Sequence, residues 1–346
     1  MSASLIALDV MGGDHAPRAI LEGALAAVAP EKGPALPAER ILLVGDEECI
    51  RTGLDELGGA DLGLAILHAP EAIGMHEKPG QALRAKPRSI AVGVGAVKQG
   101  AAGAFVSMGN TGAVVGASTI GLGTLEGVRR PGIAVTVGVT GRPVTMMDMG
   151  ANIVPKPDHL VQYGLMGQTF QRKCLGVEKP RIGLLNIGEE PSKGTDLVKE
   201  AHGLLQESGL DFVGNIEGGD LFGEAADVVV TDGFTGNVAL KLMEGMAGFM
   251  LGMLMGELQA QSASWAPESL GKVRRKIDYS EYGGALLLGV NGVVVIGHGR
   301  SDARAVSNAL SLAARTLDSS VNQDIVAGLA ERKAAQASLG GSESQG

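Results

Sequence analysis

Apolar runs of strand length recur along this chain, and several end in the same way. Leu5–Leu8, Ala104–Met108, Ile182–Ile187, Val228–Val230 and Val293–Ile296 each pass directly into a glycine-bearing turn rich in polar groups, with helix-length sequence beyond. Further strand-like runs lie at Ile41–Val44, Leu64–Leu67, Ile133–Val139, Val144–Met147 and Phe212–Ile216. Helix-length segments at Ala16–Val28, Ser89–Lys98, Asp158–Cys174 and Thr195–Glu207 separate many of them. Alternation of this kind builds a largely parallel sheet with helices on its faces. Strands too apolar for a solvated edge fit such a sheet. Open α/β sheets bind ligands at the carboxyl ends of their strands, so the polar turns are the candidate functional positions. Val135–Val139 and Val144–Met147, joined by Thr140-Gly141-Arg142-Pro143, read as a hairpin, which makes the sheet mixed.

Composition agrees. Glycine supplies 54 of 346 residues, well above the usual figure of about 7%, without a strict period and among aliphatic neighbours, so the chain is globular and rich in tight turns. A net charge of −9 and 3% aromatics argue against general nucleic-acid affinity, which needs a basic footprint and stacking rings. Two cysteines, Cys49 and Cys174, are too few for a disulfide framework. With no basic or long apolar stretch ahead of Asp9, a cytoplasmic setting is expected.

One catalytic α/β domain over residues 1–335 is expected, with a polar, disordered tail over 336–346. Residues 238–280 interrupt the βα rhythm as a helical excursion carrying five methionines between Met243 and Met255. Its apolar centre, Gly245–Gly256, is shorter than the roughly 20 residues that span a bilayer. Gly248, Gly252 and Gly256 share one face, which suits close helix approach, while Met246, Phe249, Met250, Met253 and Leu254 supply apolar surface. Packing within the fold, a dimer contact and an interfacial membrane contact are the three readings.

The turns hold the candidate chemistry: Asp9 to His15 with Asp14; Asn110-Thr111-Gly112; Ser192-Lys193-Gly194-Thr195; Asp232 and Asn237; and His298. The segment Gly188–Thr195 leads a lysine and a capping hydroxyl into a helix N-terminus, a ready anion site. No Walker loop, complete GxGxxG, HExxH or GxSxG is present. No metal or cofactor is therefore expected. Asp9 and Asp14 could instead cap turns, and Asp232 and Asn237 could cap a helix.

Taken in order, the stretches Ala7-Leu-Asp-Val-Met-Gly-Gly-Asp14, Ser107-Met-Gly-Asn-Thr-Gly-Ala113, Asp148-Met-Gly-Ala-Asn152, Asn186-Ile-Gly-Glu-Glu-Pro-Ser-Lys-Gly194, Gly214-Asn-Ile-Glu-Gly218, Asp232-Gly-Phe-Thr-Gly-Asn-Val-Ala-Leu-Lys241 and Gly297-His-Gly299 resemble the bacterial phosphate acyltransferases. Those enzymes move an acyl chain from acyl carrier protein to inorganic phosphate. The resemblance covers nearly the whole chain. It implies a Rossmann-like α/β/α sandwich similar to the isocitrate dehydrogenase and phosphotransacetylase folds, a homodimer, and a role in phospholipid synthesis. It also implies a membrane glycerol-3-phosphate acyltransferase as acceptor of the acyl phosphate, and peripheral membrane association.

On that footing Ser192, Lys193, Gly194 and Thr195 cradle phosphate, and the Asn110 turn donates to the oxyanion. Asp9, Asp14, Asp232 or His298 orients or deprotonates phosphate, with the choice open. Asn237 joins the catalytic set. Without an acyl-enzyme motif, direct displacement is preferred. The acidic carrier protein requires basic patches, for which Arg84, Lys86 and Arg88, Arg129 and Arg130, and Lys272, Arg274, Arg275 and Lys276 are candidates. A phosphotransacetylase using acyl-coenzyme A, a decarboxylating dehydrogenase and a membrane-surface scaffold are the competing functions.

Overall fold

The computed structural model describes residues 5–30, 34–78, 88–139, 142–260, 265–277 and 279–342. Its backbone divides into two compact units, where the sequence leads one to expect a single domain. Unit 1 comprises Met1–Pro131, Arg172–Gly176 and Gly283–Gly346, and unit 2 comprises Gly132–Gln171 and Val177–Tyr282.

Unit 1 begins with β1 (Ile6–Asp9), α1 (Arg18–Val28), β2 (Ile41–Gly45), α2 (Glu47–Glu56), β3 (Ala65–His68), α3 (Ser89–Lys98), β4 (Ala104–Ser107) and α4 (Thr111–Leu122). All four residues of β1 and of β4 are buried, as strands covered on both faces require. Unit 2 follows with the hairpin β5 (Gly132–Val139) and β6 (Arg142–Met147), α5 (Pro157–Cys174), β7 (Ile182–Leu185), α6 (Asp196–Gln206), β8 (Phe212–Ile216) and β9 (Val228–Val230). The helical excursion is a pair, α7 (Gly233–Ala260) and α8 (Ala266–Ile277). The chain closes with β10 (Ala285–Leu288), β11 (Val293–Ile296), α9 (Ala303–Asp318) and α10 (Val321–Ser342).

In unit 1 the strand order is β3-β2-β1-β4-β11-β10, parallel except for the antiparallel β10/β11 pair. Helix α9 packs on β1, β4 and β11 and pairs with α1, whereas α3 packs on β1, β2 and β4 and pairs with α4. Two helical layers thus flank the sheet. In unit 2 the order is β5-β6-β9-β7-β8, antiparallel only in the β5/β6 hairpin. The turn of that hairpin is tighter than expected, since Arg142 and Pro143 already pair with Val139 and Gly138.

Two boundaries move. Helix α10 runs to Ser342, so residues expected to be disordered from 336 are helical that far; the run Ala334-Ala-Gln-Ala-Ser-Leu339 is rich in good helix formers. Helix α7 starts at Gly233, five residues before the expected excursion, because Asp232 caps it. Counted from that start, Gly233–Leu258 is long and apolar enough to cross a membrane by length and composition, which corrects the inference from Gly245–Gly256 alone. The helix carries Lys241, Glu244 and Glu257 within it.

Candidate functional site

In unit 1, β2 lies on one side of β1 and β4 on the other, which puts a topological switch point at the carboxyl ends of β1 and β4. Asp9 and Ser107 sit opposite each other there. The Ser107 hydroxyl donates to Asp9 Oδ2 at 2.7 Å and accepts the Gly109 N–H at 3.0 Å. Met11 N–H reaches Asp9 Oδ1 at 3.2 Å. Burial lifts the Asp9 carboxyl above its ordinary range, against these donors. A Cβ on Gly12 would lie 2.5 Å from Asp9 Oδ2 and 2.9 Å from Gly109 N. Only glycine lets the β1 turn cover the carboxyl group so closely. Asp9 is thus buried beneath its own turn and linked through Ser107 to the β4 turn.

The neighbouring turns join it. Gly297 N–H donates to Ser107 O at 2.9 Å, and Asp14 N–H to Gly299 O at 2.7 Å, tying the β11 turn to those of β4 and β1. The side chains of Asp14 and His15 are exposed. His298 Nδ1 accepts the Arg300 N–H at 3.2 Å, so the neutral ring carries its proton on Nε2. Asn110 caps α4 through Oδ1, which accepts from Ala113 N at 3.0 Å. Its amide nitrogen donates to Met75 O and Glu77 O at 2.9 and 3.1 Å. The side chain of Asn110 is thus committed to the fold, and the donors this turn presents are the N–H groups of Thr111 and Gly112, which open the exposed first turn of α4. The Met75–Glu77 segment is an unforeseen member of the cluster, since no strand or motif marks it in the sequence.

In unit 2 the carboxyl ends of β6, β9 and β7 are adjacent, with Met147 opposite Val230 and Val230 opposite Leu184. Asp148, at the end of β6, is a residue that the strand-end reading passes over. Its Oδ1 accepts the N–H groups of Ile133, Gly150 and Ala151 at 2.9 to 3.1 Å. Its Oδ2 accepts both Asn152 N–H at 2.7 Å and the Asn152 amide at 3.1 Å. Burial nonetheless raises its pKa above the ordinary carboxylate range. The sequence signal was available: an aspartate ends an apolar strand and glycine follows two residues later. Asp232 caps α7, accepting Phe234 N–H at 3.0 Å, Thr235 N–H at 2.9 Å and the Thr235 hydroxyl at 2.7 Å. The capping alternative thus describes Asp232. Asn237 is exposed on the first turns of α7, beside Gly150.

The segment after β7 folds as a turn in which Lys193 N–H donates to Glu190 O at 3.0 Å. Asn186 Nδ2 donates to Lys193 O at 3.1 Å. Gly194 has φ of +87°, and a Cβ there would lie 2.5 Å from Asn186 Oδ1. The following Thr195 caps α6 by accepting Val198 N–H at 3.4 Å. Ser192 and Lys193 are exposed, and among the described residues no carboxylate pairs with Lys193. A cation beside a capped helix start forms an anion site of ordinary chemistry.

The docking candidates separate. Arg88 is largely covered and pairs with Glu77 at 2.6 Å and Glu71 at 3.6 Å. Lys272 pairs with Glu268 one helical turn earlier at 2.7 Å. Arg129 and Arg130 are exposed. Arg84 and Lys86 lie outside the described residues, as do the side chains of Arg274, Arg275 and Lys276. No cluster of three or more metal-ligating side chains occurs among the described residues.

Comparison with known proteins extends this geometry. A sequence-family model described as "Fatty acid synthesis protein" matches residues 5–324. The chain is 47% identical over 320 residues to a protein of Desulforamulus reducens named phosphate acyltransferase, covering 90% of this chain and 93% of that one. It is 44% identical over 331 residues to a protein of the same name from Pelotomaculum thermopropionicum, covering 92% and 93%. Among solved structures, a phosphotransacetylase from Streptococcus pyogenes aligns with a TM-score of 0.62 at 19% identity over 91% of this chain and 94% of that one. The EutD phosphotransacetylase from Staphylococcus aureus aligns with 0.61 at 15% identity over 90% and 94%. These two likenesses establish the α/β architecture.

Proposed function

The chain belongs to the phosphate acyltransferase family, and from that premise we propose that it transfers a fatty acyl group from acyl carrier protein to inorganic phosphate. The product is an acyl phosphate, passed on for phospholipid synthesis to a membrane glycerol-3-phosphate acyltransferase. The observation that carries the reading is the Lys193 loop, a cation held at a capped helix start on a fixed turn. Within unit 2, Ser192, Lys193 and Gly194 hold the phosphate, and Thr195 orders the helix end beneath them. Within unit 1, the N–H groups of Thr111 and Gly112 are donors suited to a tetrahedral oxyanion. His298, with its proton on Nε2, suits the same donor role, and Asp14 is the exposed carboxylate of that cluster.

The thiolate leaving group has a parent pKa of about 8.5, so its departure needs little acid assistance. Direct attack by phosphate fits the side chains present. Burial pushes the Cys174 thiol up, away from the thiolate form a nucleophile needs. The Ser107 hydroxyl is fully buried and already committed to Asp9.

Helix α7 supplies the wider setting. Met246, Phe249, Met250, Met253 and Leu254 are each about half exposed or more, an apolar surface that calls for a partner. Among the described residues, nothing outside the helix's own backbone stands within 4 Å of where a Cβ would sit on Gly248, Gly252 or Gly256. A second copy of the chain meeting the glycine face, with the apolar stripe on a lipid surface, gives a homodimer that works in the cytoplasm at the membrane. Arg129 and Arg130 are the basic pair offered to the acidic carrier.

Incubation with palmitoyl carrier protein and phosphate, followed by trapping with hydroxylamine, tests the activity. The expected result is phosphate-dependent hydroxamate, nearly abolished in Lys193→Ala. Hydroxamate only from palmitoyl-coenzyme A would identify the phosphotransacetylase alternative, and none from either donor would reject acyl transfer to phosphate.

A further inference from the structure

The loop that carries Lys193 is gripped from two strands. Asn186, just past β7, donates Nδ2 to Lys193 O at 3.1 Å. Asn215, in β8, donates Nδ2 to Glu190 O at 3.0 Å. Together they hold the two carbonyls at the ends of the Glu190-Pro191-Ser192-Lys193 turn, and Lys193 N–H closes that turn onto Glu190 O. Asn215 is only 7% exposed, and behind it stands His202 of α6, also buried, with Nδ1 at 3.0 Å from Asn215 Oδ1. The imidazole meets the Phe212 ring edge-on, with centroids 5.2 Å apart and planes at 75°.

The donor directions follow from chemistry. A backbone carbonyl only accepts, so the Asn215 amide nitrogen must face Glu190 O, and its oxygen must then face His202. His202 therefore holds its proton on Nδ1 and donates it. A directed relay runs from the ring through the amide to the loop carbonyl, and its two side chains are buried.

We propose that His202 and Asn215 are positioning residues for phosphate, acting through Glu190 O to set the Ser192-Lys193-Gly194 turn. The inference rests on the assignment of phosphate to Lys193. Neither side chain touches the anion. Without the relay the turn loses one of its two side-chain anchors, while the sheet and α6 keep their backbone hydrogen bonds. The deficit then falls on phosphate and spares the acyl donor.

Steady-state kinetics of the full chain, with phosphate and acyl carrier protein varied separately, test this. Asn215→Ala and His202→Phe are expected to raise the phosphate KM about tenfold, the size of one lost hydrogen bond to a buried partner, and to leave the carrier KM unchanged. His202→Asn, which returns an N–H donor at the Nδ1 position, is expected to restore the phosphate KM. Asn186→Ala, acting on the other end of the turn, should give the same selective change and serves where Asn215→Ala does not fold. If Lys193→Ala raises the phosphate KM while the asparagine and histidine variants do not, or if they shift both KM values together, the relay is overturned and the phosphate assignment stands. If Lys193→Ala leaves the phosphate KM unchanged, the assignment fails and the relay with it.

Discussion

Asp9 shows how far a residue's surroundings escape its local sequence. An aspartate closing an apolar strand before Gly12-Gly13 looks like a reactive carboxylate, but whether it faces substrate depends on packing from β4 and β11, which lie far away in sequence. The structure buries it completely behind Gly12 and couples it to Ser107. A measurable consequence follows. Burial raises its pKa above the ordinary 3.8, so in the interval above 3.8 the folded chain retains a proton that the unfolded chain has released. Stability contributed by this group is therefore full at low pH and declines as pH rises through that interval. Asp9→Asn should flatten that part of the stability curve, as read by urea midpoints at successive pH values. An unchanged slope would place a charged Asp9 in the folded protein. Asn110 and Asp232 carry a similar lesson, since the local pattern fits capping and catalysis equally and only the hydrogen-bond partners separate the two. Asp148 enters the sequence reading only within the stretch Asp148-Met-Gly-Ala-Asn152, because its five donors come mostly from its own loop and from Ile133, a partner visible only once β5 and β6 pair.

Elements were more legible than roles. Phe212–Ile216, Val228–Val230 and Val293–Ile296 occupy the expected spans; the last two are unbroken β-branched runs of three and four residues beside turn formers, and the first has Phe, Val and Ile about Gly214 and Asn215. Strand β10 was missed: Ala285-Leu-Leu-Leu288 contains no β-branched residue and follows a segment read as helical, so period and composition gave no sign of a strand. Helix α7 reads as helical but too short from the sequence, where Asp232 fits a catalytic group and a helix cap alike. Its exposed stripe makes a prediction at this scale. Met253→Glu and Phe249→Glu should abolish flotation with anionic phospholipid vesicles while leaving the melting temperature within about 2 °C of the parent, because exposed positions contribute little to folding stability. Undiminished flotation would assign lipid contact elsewhere; a large drop in melting temperature would mark the stripe as core.

At the scale of the whole molecule, the sequence order of the strand-end motifs carried more information than any one of them. Single glycine turns occur in many α/β proteins, but seven stretches in order across 346 residues specify a family, and the comparisons over residues 5–324 agree. The division into two units was not legible, because a continuous alternation of strands and helices looks the same whether it packs about one core or two. On the proposed function, a chain of net charge −9 would meet an acidic carrier through local charge; of the described candidates Arg129, Arg130 and Lys272 are exposed, and Arg88 is largely covered. The central claim is that phosphate itself attacks the carrier thioester. A rapid-quench single turnover with enzyme in excess over palmitoyl carrier protein, measuring free carrier thiol and acyl phosphate with and without phosphate, tests it most directly. The account predicts that thiol appears only when phosphate is present and matches acyl phosphate one for one; a stoichiometric burst of thiol without phosphate, with the acyl chain left on the protein, would contradict it.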